Sequence, residues 1–311
     1  MFENVLSAIR EHNRIIIHRH KNPDGDALGS QLGLVGILKE NFPEKEILAV
    51  GDTSARYAFM GFTPDEVADE AYNGALAIIL DTSASALICD ERYKLAEKTV
   101  RIDHHIFCEE IANIEVTDTS YESCCGLIAA FAMECGLKVP SDAAKAIYTG
   151  MITDSGRFRY DSVTPQTFRC AAFLMEQGFR TDDIYRNLYA DDFSFIQLRA
   201  RFVLKIQFAG NGVAYIYTTK EEADSYEADT FTISRGMVNV MGEIRGIDTW
   251  VNFTETDEGV LCEIRSSLYN INPIAKKYGG GGHAKASGAT LKDKDEAMAM
   301  LEDLKALGGA Q

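Results

Sequence analysis

The sequence predicts an α/β protein with two domains, a parallel-sheet domain followed by a smaller α/β domain. Short, uninterrupted apolar runs alternate with helix-like segments from residue 14 to about residue 102, as buried parallel strands and their crossover helices do. Helical periodicity dominates residues 123–178, and strands alternate with helices again after about residue 207. With 311 residues, the chain is also long enough to build two hydrophobic cores.

Four runs in the first half are continuous and rich in β-branched or aliphatic side chains, which predicts buried strands at residues 14–18, 46–50, 75–80 and 99–102. The turn sequence NPDGD at residues 22–26 ends the first run. Helices are expected at residues 30–41 and 91–98. Ligands of an open parallel sheet bind beyond the carboxyl ends of its strands, so the residues that follow each run are the candidates for a site.

Acidic and imidazole side chains follow three of these four runs: His20, Asp24 and Asp26 after the first, Asp81 after the third, and Asp103, His104 and His105 after the fourth. Imidazole and carboxylate ligands together suit manganese, iron or zinc. A single acid in such a place is usually a turn residue or a helix cap, but acids scattered at random would not all fall at strand ends. His18 competes with His20 for the ligand role, and His20 is preferred because it leads directly into the turn.

The second half is predicted to begin with three helices that have start signals or closing glycines, at residues 123–136, 141–153 and 164–178. Residues 181–205 are expected to be a helical connection. Strands then follow at residues 213–219, 249–254 and 260–266, with helices near residues 234–242 and 273–278. These elements give a first domain at residues 1–185, a helical linker at 186–206 and a second domain at 207–311.

The acidic composition limits the class of ligand. The formal charge of −16 argues against binding of long duplex nucleic acid, although a small phosphate ligand in a locally basic cleft is compatible with it.

No apolar run approaches the roughly 20 residues that span a bilayer, and residues 1–4 lack the features of a signal peptide. The 7 cysteines are odd in number and include no Cys-x-x-Cys pair, as in reduced proteins. We therefore expect a cytoplasmic protein without a membrane partner.

Four aspartates would repel one another strongly if they converged in one cleft: Asp24, Asp26, Asp81 and Asp154. Like charges in one cleft require either neutralising cations or raised pKa values. Two divalent ions with one bridging carboxylate would resolve the repulsion. Such sites catalyse in-line displacement at phosphorus through a bridging water or hydroxide.

The loop at residues 153–160 combines an acid and a glycine with Arg157 and Arg159. These residues are candidates for both metal and phosphate binding. The two aromatic residues of the loop, Phe158 and Tyr160, would either stack on a base or pack in the core.

Residues 264–292 reverse the charge of the chain, because they include Arg265 and four lysines but no Asp or Glu. The same stretch contains the run Gly280, Gly281, Gly282 and His283. Glycines allow backbone amides to approach a phosphate closely, and neighbouring cations add charge-assisted hydrogen bonds. A solvated turn beside a basic face is the alternative, and a phosphate-binding role is preferred.

Along nearly its whole length, the sequence resembles the DHH phosphoesterase family. The resemblance rests on five motifs in order: HKNPDGDALGS at residues 20–30, ILDT at 79–82, DHH at 103–105, TDSG at 153–156 and the glycine–histidine run at 279–283. The last motif is similar to the signature of the DHH-associated C-terminal domain. The resemblance implies a metal-dependent phosphoesterase whose active site lies in the cleft between two domains.

The resemblance also implies two divalent metal ions, for which manganese is expected. The first ligand set would be His20, Asp24 and Asp81, and the second would be Asp26, Asp81, His104 and Asp154. Asp81 would then bridge the ions, His105 would face the substrate phosphate or leaving oxygen, and Asp103 would orient the histidines. In the second domain, Arg265 matches the family's phosphate-binding arginine, and His283 with the glycines would hold the same part of the substrate.

Within the family, the compact size and the loop at residues 154–160 are similar to the nanoRNase and pAp-phosphatase group. This implies hydrolysis of oligoribonucleotides of two to five residues and dephosphorylation of 3′-phosphoadenosine 5′-phosphate (pAp). The expected partners are short RNA and pAp-like nucleotides, and a homodimer is left open. A phosphodiesterase for cyclic or linear dinucleotides is one alternative. A non-catalytic nucleotide receptor is another, but it would be expected to have lost a metal ligand, and none is missing.

Overall fold

A five-stranded parallel sheet forms the centre of the first half of the chain in the computed structural model, which describes residues 1–309. Its strands are β1 (Arg14–His18), β2 (Glu46–Ala49), β3 (Leu76–Leu80), β4 (Lys98–Asp103) and β5 (Ile114–Thr117). They lie in the order β2-β1-β3-β4-β5, and every neighbouring pair is parallel. The predicted parallel sheet is therefore confirmed, with β5 as a strand that the sequence pattern missed.

Six helices complete this half of the chain: α1 (Glu3–Glu11), α2 (Gly25–Asn41), α3 (Cys124–Cys135), α4 (Ser141–Asp154), α5 (Pro165–Met175) and α6 (Thr181–Tyr189). The strands and helices share one apolar core, in which Ile15, Leu34, Ile78 and Phe131 are fully buried. Burial of this kind stabilises a fold by about 1.5–3 kcal/mol for each large aliphatic or aromatic side chain. The buried side chains hold the strands in place, and with them the edge of the sheet at which the candidate site residues lie.

The helix predicted at residues 30–41 begins earlier, at Gly25. Asp24 is its N-cap, and one carboxylate oxygen of Asp24 accepts the backbone N–H groups of Asp26 and Ala27, each at 3.0 Å. The prediction of a helix at residues 91–98 is wrong. Only a 3-10 turn forms, at Glu91–Leu95, because β4 already begins at Lys98 and pairs with β3.

Helices α2 and α4 are in close contact because glycines line their interface. A Cβ atom added at Gly29 would lie 2.6 Å from the carbonyl oxygen of Ala146, and one at Gly33 would overlap Ile147. Real Cβ atoms are not tolerated at such distances, so only glycine allows this approach. The close packing brings the N-terminus of α2 next to the C-terminus of α4.

The second half of the chain is built on a six-stranded sheet in the order β10-β11-β9-β8-β7-β6. Its elements are α7 (Phe193–Leu204), β6 (Gln207–Gly210), β7 (Val213–Thr218), α8 (Lys220–Asp224), β8 (Thr249–Thr256), β9 (Gly259–Ser266), α9 (Asn272–Lys277), β10 (Gly281–Gly282), β11 (Ala286–Leu291) and α10 (Lys294–Gly308). Only the β7–β8 pair is parallel among the described strands of this sheet. The helix predicted near residues 234–242 is a π-helical turn at Thr232–Gly236 followed by a 3-10 turn at Val238–Met241.

Packing divides the chain into a first unit, Met1–Ala190, and a second unit that begins at Asp191. Helix α6 belongs to the first unit. Helix α7 belongs to the second, where Leu198 and Phe202 pack with Met237. The assignment of residues 186–206 to a linker between two domains stays a prediction. None of the helices within residues 1–309 is long and apolar enough to cross a membrane.

Candidate metal centre

Three neighbouring strands deliver the first part of the site. His20 lies two residues after β1, Asp81 directly follows β3, and Asp103 ends β4 with His104 and His105 behind it. Because β1, β3 and β4 are adjacent and parallel, their carboxyl ends lie at one edge of the sheet. The sheet order thus explains how residues more than 80 positions apart in sequence come together.

Two helix ends supply the remaining acids. Asp24 and Asp26 lie at the N-terminus of α2, and Asp154 is the last residue of α4. The glycine-lined contact between the two helices places these ends side by side. All six metal ligands expected from the sequence are therefore close to one another.

The six side chains and His105 form three overlapping groups, in each of which the ligating atoms lie within 4.8 Å of one another. The groups are His20, Asp24 and Asp81; Asp26, His104 and Asp154; and Asp81, His104 and His105. Nε2 of His104 is 3.5 Å from Asp154 and 3.6 Å from Asp81, and Nε2 of His20 is 3.4 Å from Asp81. Asp81 therefore joins the group around His20 to the group around His104.

A cavity of about 280 Å³ is lined by all of these residues except the buried Asp26, and Ser83 and Leu87 complete its lining. A larger cavity, of about 640 Å³, lies in the second unit between α7 and the segment around Tyr226. That cavity contains none of the clustered ligating groups found among residues 1–309. The smaller cavity is therefore the candidate site, because the ligating side chains line it and not the larger one.

Asp81 is held in an unusual backbone conformation at the end of its strand. Its φ angle is 50°, in the left-handed region that few residues other than glycine adopt. The side chain is 2% exposed, and its Oδ1 atom has no hydrogen-bond partner among the described residues. A buried carboxylate oxygen without a donor is costly, so this atom fits a role as a metal ligand.

Asp26 is oriented by the N-terminus of α3. Its two carboxylate oxygens accept the backbone N–H groups of Cys124 and Cys125, each at 2.8 Å. The first N–H groups of a helix have no partner within the helix, and the helix dipole favours an anion there. Sequence reasoning missed this contact, because nothing in the residues around position 124 indicates a partner almost 100 positions earlier.

Burial and like charges raise the pKa values of two of the acids. Burial raises the pKa of Asp26 well above its usual range, and the charges of Asp81 and Asp154 raise it further. Burial also raises the pKa of Asp154 to about 6; His104 opposes the rise, and Asp81 adds to it. The metal-free site therefore holds an excess of negative charge that a cation would relieve.

His20 shows the opposite balance. Burial alone would lower its pKa, but hydrogen bonds and charge from Asp24 and Asp81 outweigh burial and raise the pKa to about 10. Burial would likewise raise the pKa of Asp24, but His20 and the α2 backbone amides lower it. Asp24 and Asp81 therefore favour a positive charge at this position.

Asp103, which is expected to orient the histidines, is in hydrogen-bond contact with His105. Nδ1 of His105 lies 2.8 Å from Oδ1 of Asp103, and this hydrogen bond raises the pKa of His105. Asp103 is fully buried and its other oxygen has no hydrogen-bond partner within residues 1–309. His105 itself is 46% exposed and lines the cavity.

His18, the competitor of His20 in the sequence, points away from the site. It is fully buried, and its Nε2 atom is 3.4 Å from the hydroxyl of Tyr72. Burial lowers the pKa of His18 to about 4. His18 is thus a neutral core residue and belongs to none of the ligating groups.

Arg19, which sequence reasoning did not single out, supports the segment that leads into the site. It is fully buried, and it donates hydrogen bonds to Gln31 at 2.8 Å, to the carbonyl of His20 at 3.2 Å and to the carbonyl of Asp52. These bonds hold the chain that carries His20 against the loop after β2. The only signal in the sequence is a charged residue between two histidines at the end of an apolar strand.

The loop after α4 places the two predicted arginines differently. The guanidinium group of Arg157 lies 4.3 Å above the ring of Tyr189, whereas Nε of Arg159 donates to the carbonyl of Gly156 at 3.2 Å. Phe158 packs against the core of the first unit, and Tyr160 is 58% exposed. Of the two aromatic residues, only Tyr160 could contact a base without leaving the core.

The predicted phosphate-binding residues of the second unit gather at one end of its sheet. Arg265 on β9 pairs with Ala286 on β11, and His283 lies in the turn between β10 and β11. Nη1 of Arg265 is 3.0 Å from the carboxylate of Glu263, so a phosphate would compete with this acid. A Cβ atom at Gly280 would overlap the carbonyl of Gly288, so this position in the run requires glycine.

Histidine and carboxylate ligands on one cavity are chemically suited to manganese, iron or zinc. The sequence matches the family model for the DHH family N-terminal domain over residues 14–151 and the DHHA1 domain over residues 213–308. It is 35% identical over 310 residues to the bifunctional oligoribonuclease and PAP phosphatase NrnA of Bacillus subtilis (strain 168), covering 99% of this chain and 98% of that protein. The chain belongs to the DHH phosphoesterase family. As a member, it is a metal-dependent phosphoesterase.

Other DHH relatives agree over the full length. The chain is 32% identical over 307 residues to the probable bifunctional oligoribonuclease and PAP phosphatase NrnA of Streptococcus mutans, covering 98% of both proteins. Among solved structures, an exopolyphosphatase-related protein from Bacteroides fragilis superposes with a TM-score of 0.82 at 25% identity, covering 99% of this chain and 97% of that one. The DHH fold and its DHHA1 partner domain thus account for both units of the protein.

Proposed function

We propose that this DHH phosphoesterase hydrolyses oligoribonucleotides of two to five residues to mononucleotides and dephosphorylates pAp to AMP, in the cytoplasm. The observation that carries the proposal is the full-length similarity to bifunctional oligoribonuclease and PAP phosphatases. The site supports it, because every expected ligating side chain is present and clustered. A nucleotide receptor without activity would have no need of the complete set.

For the metals, we propose two manganese ions that share one ligand. His20, Asp24 and Asp81 would hold one ion, and the second set would be Asp26, Asp81, His104 and Asp154. The ions would supply charge at the phosphoryl oxygens and lower the pKa of water. The position of Asp81 in two of the ligating groups supports its role as the shared ligand.

His105 is proposed to donate the proton that the leaving oxygen requires. Its hydrogen bond to Asp103 raises the pKa of the imidazole, so that the protonated form persists closer to neutral pH. Nearly half of the side chain is exposed at the cavity, where a substrate would lie. Asp103 is buried behind His105 and acts as a positioning residue.

We further propose that residues 1–185 act as the catalytic domain, 186–206 as a linker and 207–311 as a substrate-binding domain. In the last, Arg265 and His283 with Gly280, Gly281 and Gly282 would bind a substrate phosphate. A phosphate at Arg265 would take the place of the Glu263 carboxylate and could accept a bidentate pair of hydrogen bonds from the guanidinium group. Arg157 and Arg159 would bind substrate from the first unit.

The test is a panel of substrates in the presence of manganese: pAp, linear and cyclic dinucleotides, five-residue RNA, and long RNA and DNA. Chromatography of the products should show mononucleotides from the short RNA and AMP from pAp. Long strands should be degraded far more slowly. The same panel after chelation is the control and should show no turnover.

Equal rates on long strands and dinucleotides would contradict the proposed substrate class. Turnover of cyclic dinucleotides in preference to the other substrates would favour the alternative phosphodiesterase. Binding of nucleotides without any product would favour the receptor.

A further inference from the structure

Two arginines of the first unit lie beside the metal centre without an acidic partner. Arg56, in the loop after β2, and Arg157, in the loop after α4, are both exposed. Within residues 1–309, neither forms a salt bridge with a carboxylate. In a chain with a net charge of −16, two such uncompensated cations at one place are unexpected.

Each of these arginines is supported by a tyrosine ring. The guanidinium carbon of Arg157 lies 4.3 Å from the centre of the Tyr189 ring, and that of Arg56 lies 5.5 Å from the centre of the Tyr57 ring. Stacking on a ring uses the face of the guanidinium group and leaves its N–H edges free to donate. The tyrosines therefore limit the motion of the arginines without consuming their hydrogen bonds.

The two arginine–tyrosine pairs belong to one cluster. Burial raises the pKa of Tyr189, and the charges of Arg157 and Arg56 both oppose that rise, so both cations lie near the same phenol. Tyr57 is 7% exposed and sits against the backbone amide of Gly25, at the start of α2. The cluster thus lies next to the helix end that carries the first metal ligands.

The arginine–tyrosine cluster is also close to the metal centre. Tyr57 lines one cavity together with Leu28 of the first turn of α2. Burial raises the pKa of Tyr57, Arg56 lowers it, and the charges of Asp24 and Asp154 raise it, in agreement with this position. Asp24 and Asp154 are members of the two ligating groups that would hold different ions. A group bound between Arg56 and Arg157 would therefore be a near neighbour of a phosphate at the metal centre.

We propose that Arg56 and Arg157 form a second phosphate site, which holds the phosphate of the substrate that is not cleaved. The inference deepens the proposed function, since pAp and short RNA both carry a second phosphate one nucleoside away from the scissile one. Fixed guanidinium edges suit the bidentate recognition of phosphate oxygens. The site selects substrates with two phosphates and contributes nothing to bond cleavage itself.

The experiment compares Arg56→Gln, Arg157→Gln and the double variant with Lys39→Gln. Lys39 is an exposed cation near the other end of α2, about 21 Å from its first residue at the helical rise per residue. Each variant is assayed with pAp and with bis(p-nitrophenyl) phosphate, which has only one phosphate. Tyr189→Leu, which removes the supporting ring, and Tyr189→Phe, which keeps it, complete the set.

We expect KM for pAp to rise roughly tenfold in each single arginine variant and further in the double variant, as the loss of a charge-assisted hydrogen bond predicts. kcat for pAp and all constants for bis(p-nitrophenyl) phosphate should stay within about threefold of wild type, as should every constant of Lys39→Gln. Tyr189→Leu should raise KM for pAp, whereas Tyr189→Phe should not.

An unchanged KM for pAp in the double variant would overturn the inference. An equal loss on both substrates would also overturn it, because the arginines would then support the metal centre instead of a second phosphate. If the wild-type protein does not turn over pAp at all, the proposed function is wrong. The arginine pair is then tested by pAp as an inhibitor of bis(p-nitrophenyl) phosphate hydrolysis, whose inhibition constant must rise in the double variant.

Discussion

Replacing Asp81 by Asn tests the central assumption about the metal centre, that one carboxylate is shared. Asn has almost the same shape, so the change removes charge and one strong ligand atom while the packing around a 2% exposed side chain is kept. Without a cation, Asp81 attracts His20, which is 3.4 Å away. It repels Asp24, whose ligating oxygen lies within 4.8 Å, and also Asp26 and Asp154. These terms oppose each other, and each is at most about 3–5 kcal/mol at an effective dielectric constant of about 20. We therefore expect the metal-free variant to unfold within a few degrees of wild type.

With metal, the difference should be large. At manganese concentrations of about 100 times Kd, binding stabilises the wild-type fold by about 2.7 kcal/mol. If Asp81→Asn weakens binding about a hundredfold, only about 0.4 kcal/mol of this remains. The loss of about 2.3 kcal/mol corresponds to roughly 5–9 °C less thermal stabilisation for a unit of this size. Turnover should fall at least about a thousandfold, or about 4 kcal/mol in activation free energy.

Thermal unfolding with and without manganese, calorimetric metal stoichiometry and turnover of pAp are the measurements. Asp118→Asn is the matched control, because Asp118 follows β5 at the same sheet edge but belongs to none of the ligating groups among the described residues. A variant at Asp81 that keeps a tenth of wild-type turnover and binds two ions per chain would refute the shared ligand.

Three further predictions concern proton transfer, metal uptake and packing. Asp103→Asn should lower the pKa of His105, so the fall of activity at high pH should begin at lower pH than in wild type, as a pH–rate profile would show. Metal affinity should rise with pH through the region near 6, because the proton on Asp154 must leave before the carboxylate can bind, and calorimetry in two buffers would detect the released proton. Gly150→Ala should cost about 1–3 kcal/mol of stability in urea unfolding, because the added methyl group would overlap the Cys125 thiol.

Each of these predictions has an outcome that would contradict it. An unshifted pH profile for Asp103→Asn would mean that the acid does not act through His105. Metal uptake without proton release below pH 6 would mean that Asp154 is not a ligand. Full stability of Gly150→Ala would mean that the Cys125 thiol on α3 can move away from α4 without cost.

The sheet and its functional edge could be predicted from the sequence because parallel strands leave a simple pattern. Strands buried on both faces are continuous apolar runs, and ligands bind where such strands end. Asp81 and Asp103 could therefore be assigned to one edge from the order of apolar runs and acids alone. The helix prediction for residues 91–98 was wrong because the composition of this segment suits a helix, whereas its last residue, Lys98, pairs with Leu76 and begins β4.

The parts that could not be predicted depend on contacts between distant segments. The glycines of α2 at positions 25, 29 and 33 are spaced as one face of a helix, but the sequence does not say which helix packs there. The role proposed for Arg56 could not be predicted either, since a surface loop with one arginine has no recognisable pattern. Such features become visible only when α2, α4 and the loop after β2 are placed in space.

Asp26 shows why the fold and the metal depend on each other. Its pKa is raised by burial and by neighbouring acids, so without a cation there is a range of pH in which the folded protein keeps a proton there that the unfolded chain has released. The contribution of such a group to the free energy of unfolding falls as pH rises above the pKa that the carboxyl group has in the unfolded chain. At neutral pH, Asp26 therefore destabilises the fold when no cation is bound. The amides of Cys124 and Cys125 nonetheless hold both oxygens in place, so the carboxylate is positioned before any cation arrives. A fold that keeps an unfavourable acid so firmly oriented gains stability when a divalent ion replaces the proton.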